Sequence, residues 1–241
     1  MMRIDRVLSA CGAASRSEAG RAARGGRITV NGVAVRDASV NVDPERDTVC
    51  LDGVPVVYSR FVYIMLNKPE GYISATEDGR DPTVLELLLP EVSRPGLFPC
   101  GRLDKNTVGL MLITDDGALG HRLLSPRRHV EKKYRFECRD EVSDEDRTAL
   151  ENGLQLADGY MTKPASVELD DGRKSGIITL HEGKYHQIKR MFGAVRDNRI
   201  TYLERISFGP LTLDPTLARG QWRHLTDGEL EDLRRAGGGD G

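Results

Sequence analysis

The sequence predicts an α+β protein in two parts, and three observations carry that prediction. Apolar residues recur at helical spacing near the N-terminus, an Asn-Gly pair then joins two short β-branched runs, and from residue 62 onward strand-like apolar runs alternate with capped helices. At 241 residues the chain has room for a small domain of about 60 residues and a larger one. We expect domains at 1–57 and 58–236, with a frayed tail at 237–241.

Ile4, Val7, Leu8 and Cys11 fall at i, i+3, i+4 and i+7, so an amphipathic helix is expected over residues 3–11. Ser15 and Glu18 form a capping box opening a second helix, which Gly25-Gly26 closes. Arg21 and Arg24 share a face of it, with Arg16 near its start. Ile28–Val30 and Val33–Val35 make a hairpin, because Asn31-Gly32 supplies the two positive φ angles of a type I′ turn. Short strands follow around Val40, Val42 and Val49–Leu51. After a connector at 53–61, Val62–Leu66 reads as a buried strand, stopped by Pro69 and Gly71. A short helix is expected after Asp81-Pro82, then an irregular stretch broken by Pro90, Pro95 and Pro99.

Leu110–Ile113 returns as a strand, Asp115-Asp116-Gly117 turns the chain, and 118–124 should be helical. Between Lys133 and Arg139, Tyr134, Phe136 and Cys138 alternate with charged residues, the pattern of a strand with one buried side. Ser143 caps a polar helix that Gly153 ends, and strands follow near 161–169 and 176–181. The next helix begins at 183–192, with Ile188, Met191, Phe192 and Val195 buried and His186, Lys189 and Arg190 on another face. Short strands near 199–203, 205–208 and 211–213 lead to Trp222-Arg223 and a last helix over about 226–235.

Composition excludes several classes. The chain is 39% hydrophobic and 30% charged, as globular proteins are, and no apolar run nears the roughly 20 residues of a membrane helix. The N-terminal MMRIDRVLSACG is too polar for a signal peptide, so the cytoplasm is expected. Cys11, Cys50, Cys100 and Cys138 are widely spaced with no CxxC pair, which argues for ordinary thiols over a zinc site or disulfides. A net charge of −2 speaks against nucleic acid, but its distribution reverses the inference. Residues 1–36 hold seven arginines against Asp5 and Glu18, and residues 120–135 hold six Lys/Arg against Glu131 alone. Two basic clusters on a globally neutral chain are the footprint of phosphate-binding surfaces, whose binding should be salt-sensitive.

The chemistry centres on Gly101-Arg102-Leu103-Asp104-Lys105-Asn106-Thr107-Val108-Gly109-Leu110. A carboxylate stands here in a loop between two apolar runs, and the glycines suit special backbone angles or close approach to a ligand. A lone Asp in such a loop is usually a turn residue. Its company changes that: Glu131-Lys-Lys-Tyr134, then Gly183-Lys-Tyr-His-Gln-Ile-Lys-Arg-Met-Phe192, then a strand run ending in Gly209-Pro-Leu-Thr-Leu213.

The two short helices, the small sheet and the Arg27-Ile-Thr-Val-Asn-Gly32 hairpin resemble an S4 RNA-binding domain over about residues 2–55. That resemblance implies that Arg3, Arg16, Arg21, Arg24 and Arg27 contact RNA backbone. The later motifs, in order and spacing, resemble the RsuA-like group of pseudouridine synthases. What this implies is a catalytic domain with a mixed, largely antiparallel sheet around a central cleft. It also implies a reaction that detaches uracil from its ribose, turns the ring and rejoins it through carbon 5, with no cofactor and no metal. Asp104 becomes the essential carboxylate and Lys189 its cationic partner, with Arg190 as substitute if a bidentate fork is needed. Tyr134 is expected to stack on the base and serve proton transfer, and Leu203 to floor the base pocket. Arg102, Arg127, Arg128, Lys132, His186 and Arg190 are expected RNA contacts. Whether Asp104 adds to C1′ or removes a proton from C2′ stays open.

Tyr185-His186-Gln187, with Ser-Pro-Arg-Arg-His-Val-Glu-Lys at 125–132, resembles the small-subunit enzymes of the group. The expected partner is therefore 16S rRNA, free or in an assembling small subunit, acted on by a monomer away from any membrane. The alternatives are the same reaction on 23S rRNA, or a non-catalytic assembly factor with no use for Asp104. A metal-dependent nuclease using Asp115 and Asp116 is disfavoured, because those residues with Gly117 make a ready turn.

Overall fold

A computed structural model describes every residue except 45, 57, 89–91, 93, 126–129 and 239–241. The chain divides into two units, Met1–Phe61 with Leu88–Gly96, and Val62–Leu87 with Leu97–Gly241. The smaller unit thus takes in a later segment, which Arg94 ties down by donating to the Ser59 carbonyl at 3.0 Å.

In the first unit, β1 (Met2–Arg3) leads into α1 (Ile4–Ala10) and α2 (Arg16–Arg24). Both halves of the capping box are made: Ser15 Oγ accepts from Glu18 N, and Glu18 accepts from Ser15 N at 2.8 Å. β2 (Ile28–Val30) and β3 (Val33–Ala34) turn through Asn31 at φ 50 and Gly32 at φ 82, as a type I′ hairpin requires. β4 (Asn41–Val42) pairs with β1, while β5 (Val49–Leu51) and β6 (Val54–Pro55) complete a sheet ordered β3-β2-β5-β6. Ile4, Val7, Leu8, Ala19, Ala23, Ile28 and Val49 form its core. Val40 is exposed and not in a strand. The Asp37 carboxylate accepts from Ser39 N at 2.8 Å and bends the chain there instead.

The second unit is built on one sheet. β7 (Tyr63–Lys68) is buried along its whole length, and β8 (Phe98–Cys100) and β9 (Val108–Thr114) flank the Asp104 loop. α3 (Gly117–Leu124) starts from Asp116, whose Oδ1 accepts from Leu119 N at 2.9 Å and whose Oδ2 accepts from the Tyr63 hydroxyl at 2.8 Å. Asp116 therefore acts as a helix cap, with both oxygens engaged. β10 (Lys132–Cys138) buries Tyr134, Phe136 and Cys138 and exposes the residues between, and Ser143 caps α4 (Asp144–Asn152). β11 (Ser166–Leu169), β12 (Ser175–Leu180), α5 (Gln187–Arg196), β13 (Ile200–Phe208), β14 (Leu211–Thr212), β15 (Trp222–His224) and α6 (Asp227–Ala236) follow.

The strand order is β11-β12-β10-β13-β9-β7-β15, with β14 on β13 and β8 on β9. Every pairing is antiparallel except that of β9 with β13, where Val108 faces Glu204 and Gly109 faces Arg205. Gly109 is required at that contact: its φ is +100, and a Cβ there would lie 2.3 Å from the Arg205 carbonyl oxygen. Gly109→Ala should therefore destabilise the protein by about 3 kcal/mol or more, read as a lowered denaturation midpoint in urea.

Local expectations fail where tertiary pairing overrides them. Among the described residues no helix follows Asp81-Pro82; Thr83 bridges Ile73, Glu86 N donates to the Thr83 carbonyl at 3.2 Å, and residues 84–88 turn, burying Val84 and Leu88. Pro99 lies inside β8, tolerated because β8 pairs on one side only. The two strands expected at 199–208 are one, β13. α5 begins at Gln187 rather than 183 and leaves Val195 half-buried. Gly237 is packed, with a Cβ there falling 2.7 Å from Leu119 Cδ1, so the tail does not fray at that residue. No helix among the described residues is long and apolar enough to cross a membrane.

Candidate active site

Asp104 sits where β8 gives way to β9. The loop turns through Thr107 N donating to the Asp104 carbonyl at 3.0 Å, and Gly101 enters it at φ +89. A second segment, residues 67–74, braces it. Ser74 Oγ both accepts from Leu103 N and donates to Leu103 O, each at 2.9 Å, and Gly71 N donates to Lys105 O at 2.9 Å.

Beneath the loop lies Lys68, fully buried at the end of β7. Its ammonium donates to the carbonyls of Thr107 (2.8 Å), Asp104 (3.1 Å), Pro69 (3.1 Å) and Lys105 (3.3 Å). Burial pulls its pKa down to about 8, opposed by the Asp104 and Glu70 carboxylates. One charge thus fixes three carbonyls of the loop that carries Asp104. The strand expected over Val62–Leu66 runs on to Lys68, and a lysine closing an otherwise apolar strand is the sequence signal for this buried charge.

The Asp104 carboxylate faces one cation and one imidazole. Lys189 Nζ is 2.9 Å from Oδ2 and also donates to Asn106 Oδ1 at 2.5 Å. His186 Nε2 is 3.4 Å from Oδ1. Both come from the start of α5, but His186 is the residue before the helix, in the left-handed region at φ 48, and not on a helical face. Arg190 points elsewhere, to Asp158 at 2.6 Å and the Tyr185 carbonyl at 3.3 Å, so it supplies no fork to Asp104 and its charge is engaged.

Tyr134 is 8% exposed and stands across from Arg205, which itself stands across from Gly109. Two strand spacings, about 10 Å, therefore separate the tyrosine from the strand that the Asp104 loop enters. Leu203 is buried on the same face, opposite Phe136, whose ring meets Phe192 of α5 at 4.8 Å. Arg205 was not anticipated. It is 1% exposed, donates to the Leu110 carbonyl at 2.7 Å and lies over the Phe208 ring, on the inward register set by Leu203 two residues earlier.

Among the expected RNA contacts, Arg102 is exposed on the loop, and Arg127 and Arg128 lie outside the described residues. Lys132 is half-buried, donating to the Val130 carbonyl at 2.9 Å and lying over the Phe208 ring, and burial pulls its pKa to about 8. Period-two alternation gives Lys132 the parity of Tyr134 and Phe136. In the smaller unit, Arg3, Arg16, Arg21, Arg24 and Arg36 line one cleft of about 670 Å³. Arg27 stands apart, paired with Asp52 at 2.6 Å through Nε. Among the described residues no three His, Cys, Asp or Glu side chains converge as a metal cage.

Comparison with known proteins shows the family of the chain. A family model described as RNA pseudouridylate synthase matches residues 62–194, and an S4 domain model matches 2–48. A Bacillus subtilis (strain 168) protein named "Uncharacterized RNA pseudouridine synthase YtzG" is 46% identical over 235 residues, covering 96% of this chain and 98% of the relative. The "Ribosomal small subunit pseudouridine synthase A" of Escherichia coli (strain K12) is 42% identical over 234 residues, covering 96% of this chain and all of the relative. A solved structure titled "Crystal structure of pseudouridylate synthase" matches with a TM-score of 0.66 and 34% identity, over 97% of this chain and 100% of that one. With its S4 domain and its α+β catalytic unit, the chain belongs to the RsuA-like pseudouridine synthases, enzymes that act on RNA.

Proposed function

We propose that this enzyme converts a uridine of small-subunit (16S) rRNA to pseudouridine, acting as a monomer in the cytoplasm on free RNA or an assembling subunit. The observation that carries the chemistry is the Asp104–Lys189 contact at 2.9 Å, which joins two distant motifs. The choice of RNA rests on the name and full-length match of the E. coli relative and on the Tyr185-His186-Gln187 triplet.

In this reading Asp104 is the catalytic carboxylate, either adding to C1′ of the flipped nucleoside or taking a proton from C2′. Lys189 aims the carboxylate through its contact at 2.9 Å. Tyr134 stacks on the extruded uracil and assists proton transfer at carbon 5, over an apolar floor that includes Leu203. Arg3, Arg16, Arg21 and Arg24 hold phosphates in the S4 cleft, and Arg102 holds one beside the site. Lys189→Ala should lower kcat about 100-fold while leaving RNA affinity within about threefold, measured by single-turnover pseudouridine formation and filter binding.

Mapping pseudouridine in rRNA from cells with and without the gene tests the substrate. One 16S position should lose its pseudouridine and regain it with the wild-type gene. A loss confined to 23S rRNA would overturn the choice of subunit.

A further inference from the structure

The catalysis just described leaves one feature beside it unused. Tyr185 is 69% exposed, and its ring is stacked on that of His186, with centroids 3.8 Å apart and planes at 19°. His186 in turn brings Nε2 to 3.4 Å from Asp104 Oδ1. An aromatic face left in water forgoes the stabilisation that burial would give it.

The surrounding bonds hold it there. Gln187, almost wholly buried, accepts from Lys184 N at 2.9 Å and donates to Glu182 Oε1 at 2.5 Å. Glu182 also accepts from the Tyr160 hydroxyl at 2.6 Å and from Lys163 N at 3.0 Å. Arg190, anchored on Asp158, donates to the Tyr185 carbonyl at 3.3 Å. The backbone on both sides of the ring is thus fixed before any ligand arrives, so a ligand stacking on it loses little conformational freedom of the protein.

The chemistry of the surroundings selects the ligand. Next to the ring Lys184 is exposed and offers a positive charge to a phosphate, while Lys189 and Arg190 are engaged by Asp104 and Asp158. An exposed ring beside a cation, one residue from a side chain that touches the Asp104 carboxylate, suits an unpaired nucleobase on its phosphate backbone. When the target uridine leaves the stack, its neighbour loses a stacking partner on one face. We propose that Tyr185 is a stacking platform for the base adjoining the target uridine, with the His186 ring as the layer joining that platform to Asp104. The proposal rests on the reading of Asp104 as the reacting carboxylate.

The test uses the full-length protein and a synthetic RNA spanning the uridine found by mapping, with the 5′ or 3′ neighbour made abasic in turn. On intact RNA, Tyr185→Ala should raise KM about 5-fold or more with kcat held within about 2-fold, and Tyr185→Phe should restore KM. On one of the two abasic RNAs, the wild type and Tyr185→Ala should converge. Fluorescence of 2-aminopurine at that same position should be quenched on binding wild type or Tyr185→Phe, and not Tyr185→Ala. Because Tyr185 is exposed, neither substitution removes a core contact. An unchanged KM for Tyr185→Ala, a failure of Phe to rescue, or an equal penalty on both abasic RNAs would each overturn the platform. A silent Tyr185→Ala in an enzyme that Asp104→Asn inactivates refutes only this proposal, whereas an active Asp104→Asn refutes the reading of the site.

Discussion

Asp104→Asn should form pseudouridine more than about 1,000-fold more slowly than the wild type while binding RNA within about threefold as tightly. Asparagine keeps the volume and planarity of the side chain, and the loop is held mainly by bonds that do not involve the carboxylate: Lys68 to the carbonyls, Ser74 to Leu103 and Gly71 to Lys105. In the proposed reading the substitution removes the nucleophile or base and the charge that Lys189 meets, and leaves the loop in place. Affinity is set by phosphate contacts elsewhere, and deleting a negative charge beside a polyanion does not weaken them. Single-turnover assay by mass spectrometry, with binding measured by fluorescence anisotropy, separates the two effects. Wild-type turnover by the variant would remove Asp104 from the chemistry.

Lys68→Met should cost about 3 kcal/mol of stability and at least about 100-fold in kcat, because it leaves four carbonyls without their donor and frees the loop that aims Asp104. The wild-type pH profile should carry the same signature. The folded protein holds the Lys68 proton to about pH 8, against the ordinary lysine value of 10.5. Between those values the unfolded chain binds more protons, so this group's own contribution to stability rises with pH. Activity should move the opposite way and fall as pH passes through 8, since a neutral amine has two hydrogens for four carbonyls. Lys132 also titrates near 8 but donates only to Val130 in the bonds seen here. The alkaline limb should therefore persist in Lys132→Met. A kcat that stays flat from pH 7 to 9 would mean that Lys68 does not clip the loop.

The legibility of this protein in its sequence follows the range of the forces involved. The capping box at Ser15, the cap at Ser143, the Asn31-Gly32 turn and the alternation around Tyr134 are set by residues a few positions apart, and each is present as expected. The stretch after Asp81-Pro82 had helical composition but pairs with Ile73, a partner that local pattern does not reveal. The Asp104–Lys189 contact was anticipated because both residues sit in recognisable motifs. Lys68 and Arg205 were missed because a buried cation carries no motif of its own: its place depends on carbonyls that only the folded sheet brings to it. Lys132 shares the parity of Tyr134 but stays half-buried at the start of its strand, where alternation alone does not fix its burial.

The parallel contact between β9 and β13 has a consequence for timing. It spans two residue pairs and joins two antiparallel sets of strands, one preceded by Asp104 and the other entered from the helix that carries Lys189. The two side chains are 85 positions apart, so their contact closes a long loop and belongs among the late events of folding. A chain with both sets formed and the junction still open would hold Asp104 and Lys189 apart. In the proposed reading of the site, the return of activity in refolding should therefore lag the return of secondary structure.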